Sequence, residues 1–136
     1  DMNRAVAMVN RMEGVRVQLA TLARFTGDAE VKAAVAALEA KLVELEQNLV
    51  DLRLTGRGQD GIRFDAKLIG KLGYLAGTLS GGDFRPTDQQ VEVQGILHRQ
   101  LGEALDALKA VEGAELADFN AMLRTKGLAL IGYRPN

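Results

Sequence analysis

Apolar residues fall at alternating steps of four and three through most of this chain. Val31, Val35, Leu38, Leu42, Leu45, Leu49 and Leu52 keep that rhythm across a stretch without Gly or Pro. This is an a/d heptad seam, and it predicts a long helix with one side pressed against other helices. Ala36, Val43 and Val50 add a second apolar row beside the seam, so the helix needs two neighbours, as in a bundle. Ala5, Met8, Met12, Val15, Leu19 and Leu22 repeat the spacing and predict a first helix over about residues 2–25. Thr26, Gly27 and Asp28 interrupt it. Asp28 is a good N-cap for the second helix, with Glu30 favourably placed in the first turn. So short a connection sets the two helices side by side and antiparallel. The second is expected to run to about Leu54, with Gly56 placed to end it.

Residues 55–63 are polar and Gly-rich, a loop. Phe64, Leu68, Leu72, Leu75 and Leu79 then mark a third helix, closed by Ser80, Gly81 and Gly82. Gly70, Gly73 and Gly77 share one stripe of it and lower its helix propensity by about 1 kcal/mol each. The stripe reads as a small-residue face for close helix approach, against the alternative of a helix that frays. Pro86, Thr87, Asp88, Gln89 and Gln90 form a helix start, with Thr87 as N-cap and Gln90 completing a capping box. Val93, Leu97, Leu101, Leu105 and Leu108 carry a fourth helix to about Val111, where Gly113 is expected to break it. Leu116, Phe119, Met122 and Leu123 mark a short fifth helix ending at Gly127. The expected architecture is all-α: an up-down-up-down four-helix bundle, one domain over residues 1–136, with a short fifth helix and an extended C-terminal tail. Its core is expected at Met12, Leu19, Leu38, Leu42, Leu45, Leu49, Leu68, Leu72, Leu75, Leu97, Leu101 and Leu108.

Length and composition agree with one globular domain: 136 residues, 47% apolar and 26% charged. The formal net charge of −1 gives no general attraction toward nucleic acid or an anionic membrane. The absence of cysteine removes disulfides, thiol catalysis and cysteine metal sites. No apolar run approaches the roughly 18 residues of a membrane span. A chain opening at Asp1 is expected to be a fragment of a larger protein.

Motifs with chemistry are few. Gly56, Gly58 and Gly61 spell G-x-G-x-x-G, but that spacing binds a dinucleotide only where a strand enters the turn and a helix leaves it. Here a long helix precedes it, and a loop between helices is the expectation. His98, beside Leu97 on the fourth helix, is the one histidine. A phosphoryl-accepting bundle histidine is usually followed three residues later by Lys, and Leu101 stands there. A di-metal bundle would need Glu three residues before it, and Gly95 stands there. No catalytic, cofactor-binding or metal-binding residue is therefore assigned, and no cofactor is expected. Lys32, Glu39, Lys41, Glu46 and Arg53 read as the solvated flank of the second helix, and Met8, Met12 and Met122 as core. The candidate interface is the tail. Leu128, Leu130, Ile131 and Tyr133 either fold back over the bundle or dock on a domain outside this sequence.

The order of heptad helices, a Gly-rich helix, Arg85-Pro86-Thr87-Asp88-Gln89-Gln90 opening the fourth, and Asp118-Phe119-Asn120-Ala121-Met122-Leu123 before Gly127-Leu128 resembles the C-terminal helical region of bacterial sortilin-like proteins with BNR or VPS10-type β-propellers. Proteins of that kind are often labelled glycosyl hydrolases. The resemblance implies a propeller upstream as partner, an extracytoplasmic location, and this bundle as a non-catalytic accessory or interaction domain. The alternatives are a self-associating module, pairing through the seam of the second helix, and a bundle enzyme or phosphocarrier using His98.

Overall fold

The computed structural model describes residues 1–53 and 66–132. Among them lie five α-helices and no strand: α1 (Met2–Phe25), α2 (Ala29–Leu49), α3 (Leu68–Ser80), α4 (Asp88–Ala110) and α5 (Leu116–Thr125). The all-α expectation holds. Met8, Met12, Val15 and Leu19 of α1, Val31, Val35, Leu38, Leu42 and Leu49 of α2, Leu68, Leu72 and Leu75 of α3, and Leu97, Leu101 and Leu108 of α4 converge in one core, joined by Phe119 and Leu123 of α5. Each is an apolar residue at helical spacing, so the core is the common inward stripe of all five helices.

The helix starts follow local chemistry. Asp28 Oδ1 accepts from the N–H groups of Glu30 and Val31 at 2.9 and 3.2 Å, occupying donors that have no partner within the helix. Its other oxygen accepts from Lys126 Nζ at 2.8 Å. The Lys126 bond, with the backbone N–H groups behind it, holds the Asp28 carboxyl below its ordinary range. The α4 capping box closes as expected: Thr87 Oγ1 accepts from Gln90 N at 3.2 Å and Gln90 Oε1 from Thr87 N at 2.9 Å. At the end of α5, Gly127 takes φ +69°. Its N–H reaches Arg124 O, and that of Leu128 reaches Leu123 O, a Schellman closure that favours glycine there.

Four expectations change. First, α2 ends at Leu49, short of Leu54. Val50 is extended and the buried Asp51 carboxylate accepts from the Arg53 backbone N–H and from its guanidinium at 2.6–2.9 Å, a local turn that competes with the next helical bond. The Arg53 hydrogen bonds pull the Asp51 carboxyl down to about 2. Gly56, and with it the G-x-G-x-x-G spacing, lies outside the described residues, as does Phe64. Second, the seam of α2 shifts by one residue at a single position before Leu49 restores it. Leu45 is only partly buried and Leu52 is 38% exposed, whereas Glu46 is 0% exposed. A straight helix drifts about 20° per heptad against a 3.5-residue repeat, so the inward position after Leu42 falls four residues on instead of three. Glu46, expected on the solvated flank, is a core residue. In the second row Ala36 is exposed, and Val43 and Val50 are half-buried. Third, Gly113 breaks nothing. Residues Val111–Glu115 form a π-helical turn whose flanking residues stay in helical conformation, so α4 continues into α5 through one local widening. Fourth, Val93, read as a core-side position of α4, is 44% exposed.

Candidate functional site

Polar interactions concentrate where α1, α2 and the π-helical turn meet. Arg16 Nη1 donates to Glu46 Oε2 at 2.6 Å, and Arg16 Nε lies 3.9 Å from Glu39. Arg11 Nη2 donates to Glu112 Oε2 at 2.5 Å, and Lys41 Nζ lies 2.7 Å from Glu115. Glu46 Oε1 is buried with no hydrogen-bond partner. A fully buried carboxylate is tolerated only when paired; Arg16 supplies that pairing and ties α1 to α2 at one register. Among the described residues no group of three or more His, Cys, Asp or Glu is placed to hold a metal ion. The arrangement is a clamp between helices.

His98 is 64% exposed, and its Nδ1 lies 2.9 Å from the Asp1 carboxylate.

The tail folds back. Asn120 of α5 donates to Ile131 O at 2.7 Å and accepts from Ile131 N at 2.9 Å. Gln18 of α1 does the same one residue on, donating to Gly132 O at 2.7 Å and accepting from Gly132 N at 3.1 Å. Each of the two carboxamides thus bonds both backbone polar groups of one tail residue. Ile131 is buried in the core and Leu128 packs against it, whereas Leu130 is half exposed. Tyr133 lies outside the described residues. Of the four residues proposed as an interface, two are engaged by the bundle itself.

Exposed apolar surface lies elsewhere too, on the hairpin of α3 and α4. Along it runs a crevice of about 760 Å³ lined by Gly70, Lys71, Tyr74, Leu75, Val93 and Leu97, among others. Tyr74 is 77% exposed, Phe84 in the connecting loop 91%, and Ile96 is exposed on the same half of α4. A second hollow of about 570 Å³ continues from it where α2, α3 and α4 meet, and Lys67, Lys71, Gln100 and Glu103 line it. The glycine stripe splits between two roles. A Cβ on Gly73 would come within 3.1 Å of Met2 Cε, so α1 and α3 approach closely there, but Gly77 faces open space. α1 therefore meets the hairpin at its middle, through Met2 on Gly73 and Asp1 on His98. The α3 C-terminal half and the α4 N-terminal half extend past that contact, which is why residues 91–96 are exposed throughout.

Sequence reasoning passed over this surface. The available signal was aromatic placement: of the four aromatic residues among those described, Phe25, Tyr74 and Phe84 are exposed and only Phe119 is buried. Side chains that dominate core energetics are here on the surface.

No family model, no curated protein and no solved structure matches this chain.

Proposed function

We propose that this chain is a non-catalytic interaction module whose docking face is the α3–α4 hairpin. The observation that carries the reading is the crevice with Tyr74 and Val93 exposed in its lining, on a hairpin whose Phe84 and Ile96 are also exposed. Contiguous apolar surface of this kind, with polar residues at its rim, is characteristic of protein–protein contact. The wider setting belongs to the same proposal: an accessory bundle of a larger BNR or sortilin-like propeller protein, on the strength of residues 85–90 and 118–123. Pairing through the α2 seam is not part of it, because Val31, Val35, Leu38, Leu42 and Leu49 are already buried within the chain. No helix among the described residues is long and apolar enough to cross a membrane.

A photo-crosslinking residue in place of Tyr74, in cells that make the protein natively, tests the reading. Val17, an exposed α1 residue outside the crevice, is the control position. Discrete adducts from position 74 and none from position 17 are expected. Adducts from neither position, or equally from both, refute it.

A further inference from the structure

The crevice between α3 and α4 is basic at one end and uncharged along the rest of its described lining. Lys71 is the one charged residue among those that line it. Lys71 also lines the adjoining hollow, where Lys67 stands one helical turn before it and Glu103 is the single acid among the described residues. Lys71 is exposed and has no ion-pair partner among the described residues. Lys67 lies within electrostatic reach of Asp51. Asp88 and Glu92, at the start of α4, are outside the lining of both hollows. The crevice is therefore apolar over most of its length and turns basic where it approaches α2.

Most of its polar side chains are already engaged within the chain. Thr87 and Gln90 each accept from the other's backbone N–H, and Thr78 Oγ1 donates to Leu75 O at 2.8 Å. Backbone groups in the middle of α3 and α4 are taken up by their own helices. An extended segment laid along the floor would bring backbone N–H and C=O groups that find no partner there, each at the cost of a lost hydrogen bond. A helix satisfies its own backbone. The crevice is also open at the side, because Tyr74 and Val93 line it and are 77% and 44% exposed. A small apolar ligand needs roughly 70–90% of its surface enclosed, whereas an amphipathic helix needs cover on one face only.

We propose that the occupant of the crevice is an amphipathic helix of a partner protein, with acidic residues in the turn that lies beside Lys71 and Lys67. The lining follows α3 from Gly70 to Thr78, about 12 Å at 1.5 Å per residue. Two to three turns of partner helix cover that length, with apolar residues at i, i+3 or i+4, and i+7 resting on Leu75, Val93 and Leu97. The charge at one end fixes which way the helix lies, and the exposed Tyr74 ring closes over its apolar stripe.

This inference rests on the docking reading above and names the partner's chemistry. Two synthetic amphipathic helices of about 16 residues, alike in their leucine stripe, are titrated against the full chain by fluorescence anisotropy. One carries Glu in a terminal turn and the other carries Lys there. The acidic peptide should saturate, weaken with added salt and bind at least about tenfold more tightly than the basic one. Lys71→Glu should reverse that order. Tyr74→Ser, at an exposed site, should weaken the acidic peptide at least about tenfold with the circular dichroism unchanged, and Val17→Ser should do neither. Binding of neither peptide, equal binding of both, or an order that survives Lys71→Glu overturns the proposal. Dodecanoate binding that depends on Lys71 while both peptides fail overturns it in favour of an acyl-anion site. The position-74 crosslink separates this inference from the docking reading: the segment captured should have apolar residues at helical spacing with Asp or Glu in an adjoining turn. Capture of a basic or non-helical segment, or an adduct with the mass of two copies, overturns the inference and leaves the docking reading standing.

Discussion

The two halves of this bundle use the same kinds of side chain to opposite ends. Where α1, α2 and α5 meet, apolar residues are covered and the charges around them are paired: Arg16 with Glu46, Arg11 with Glu112, Lys126 with Asp28 and Glu30. The tail closes that region through Gln18 and Asn120. On the α3–α4 hairpin, Tyr74, Phe84, Val93 and Ile96 are exposed, and Lys71, Asp88 and Glu92 have no ion-pair partner among the described residues. One region has satisfied its surface within the chain, and the other has left the same chemistry facing outward. The contrast teaches that an amphipathic helix pattern specifies which stripe is apolar, not whether the same polypeptide covers it.

The sharpest way to break the comparison is to truncate one large side chain on each side of it. Leu19 is 0% exposed, and Leu19→Ala should cost on the order of 3–5 kcal/mol through lost burial and the cavity left behind. Tyr74→Ser, although it removes a larger side chain, should change the stability of a single copy by less than about 0.5 kcal/mol. Urea denaturation at a concentration low enough to keep the chain monomeric measures both. Similar losses for the two would mean that the hairpin is covered after all.

Next in size is the pair that ties α1 to α2. Arg16→Ala leaves the Glu46 carboxylate buried without its one hydrogen-bond donor, and a loss of about 3 kcal/mol is expected. Glu46→Leu removes the charge instead of stranding it, and fills the inward position with what the heptad rhythm nearby would place there. Its stability should equal or exceed that of the parent. If both variants were equally damaged, Glu46 would be contributing through something other than its pairing with Arg16.

That position also shows where sequence reasoning reaches its limit. The helices, the Asp28 cap, the Thr87–Gln90 capping box and most of the core were legible, because each depends on residues within a turn or two of one another. Core membership on α2 was legible at Val31, Val35, Leu38, Leu42 and Leu49, and failed at one position. Between Leu42 and Leu49 the choice of Leu45 or Glu46 depends on helical drift and on where Arg16 of another helix stands, neither of which a local pattern contains. The π-helical turn at Gly113 was hidden for a related reason: glycine weakens a helix, but neighbours on both sides can hold the chain helical through it. The exposed crevice was least legible of all. Gly70, Tyr74, Val93 and Leu97 keep a core-like spacing, and whether a third element lies over them is a fact about topology.

The smallest expected effect tests how the closed half is finished. Asn120 makes two hydrogen bonds to the backbone of Ile131, and Gln18 makes two to Gly132. Net, a hydrogen bond of this sort contributes about 0.5–1.5 kcal/mol, so Asn120→Ala should cost roughly 1–2 kcal/mol. The damage should be local, because Ile131 is the least buried member of the core at 9% exposed, whereas Leu19, Leu101 and Leu123 are 0% exposed. Hydrogen exchange can read that distinction residue by residue. The amide of Ile131 loses its acceptor and should exchange much faster, that of Gly132 should retain partial protection through Gln18, and amides in the middle of α1 and α4 should be unchanged. On the hairpin, by contrast, Tyr74→Ser should leave every amide of the monomeric chain as protected as before, since Tyr74 is 77% exposed. If Asn120→Ala left Ile131 protected, the tail would be held by Ile131 burial alone, and the carboxamides would be followers of its position and not its cause.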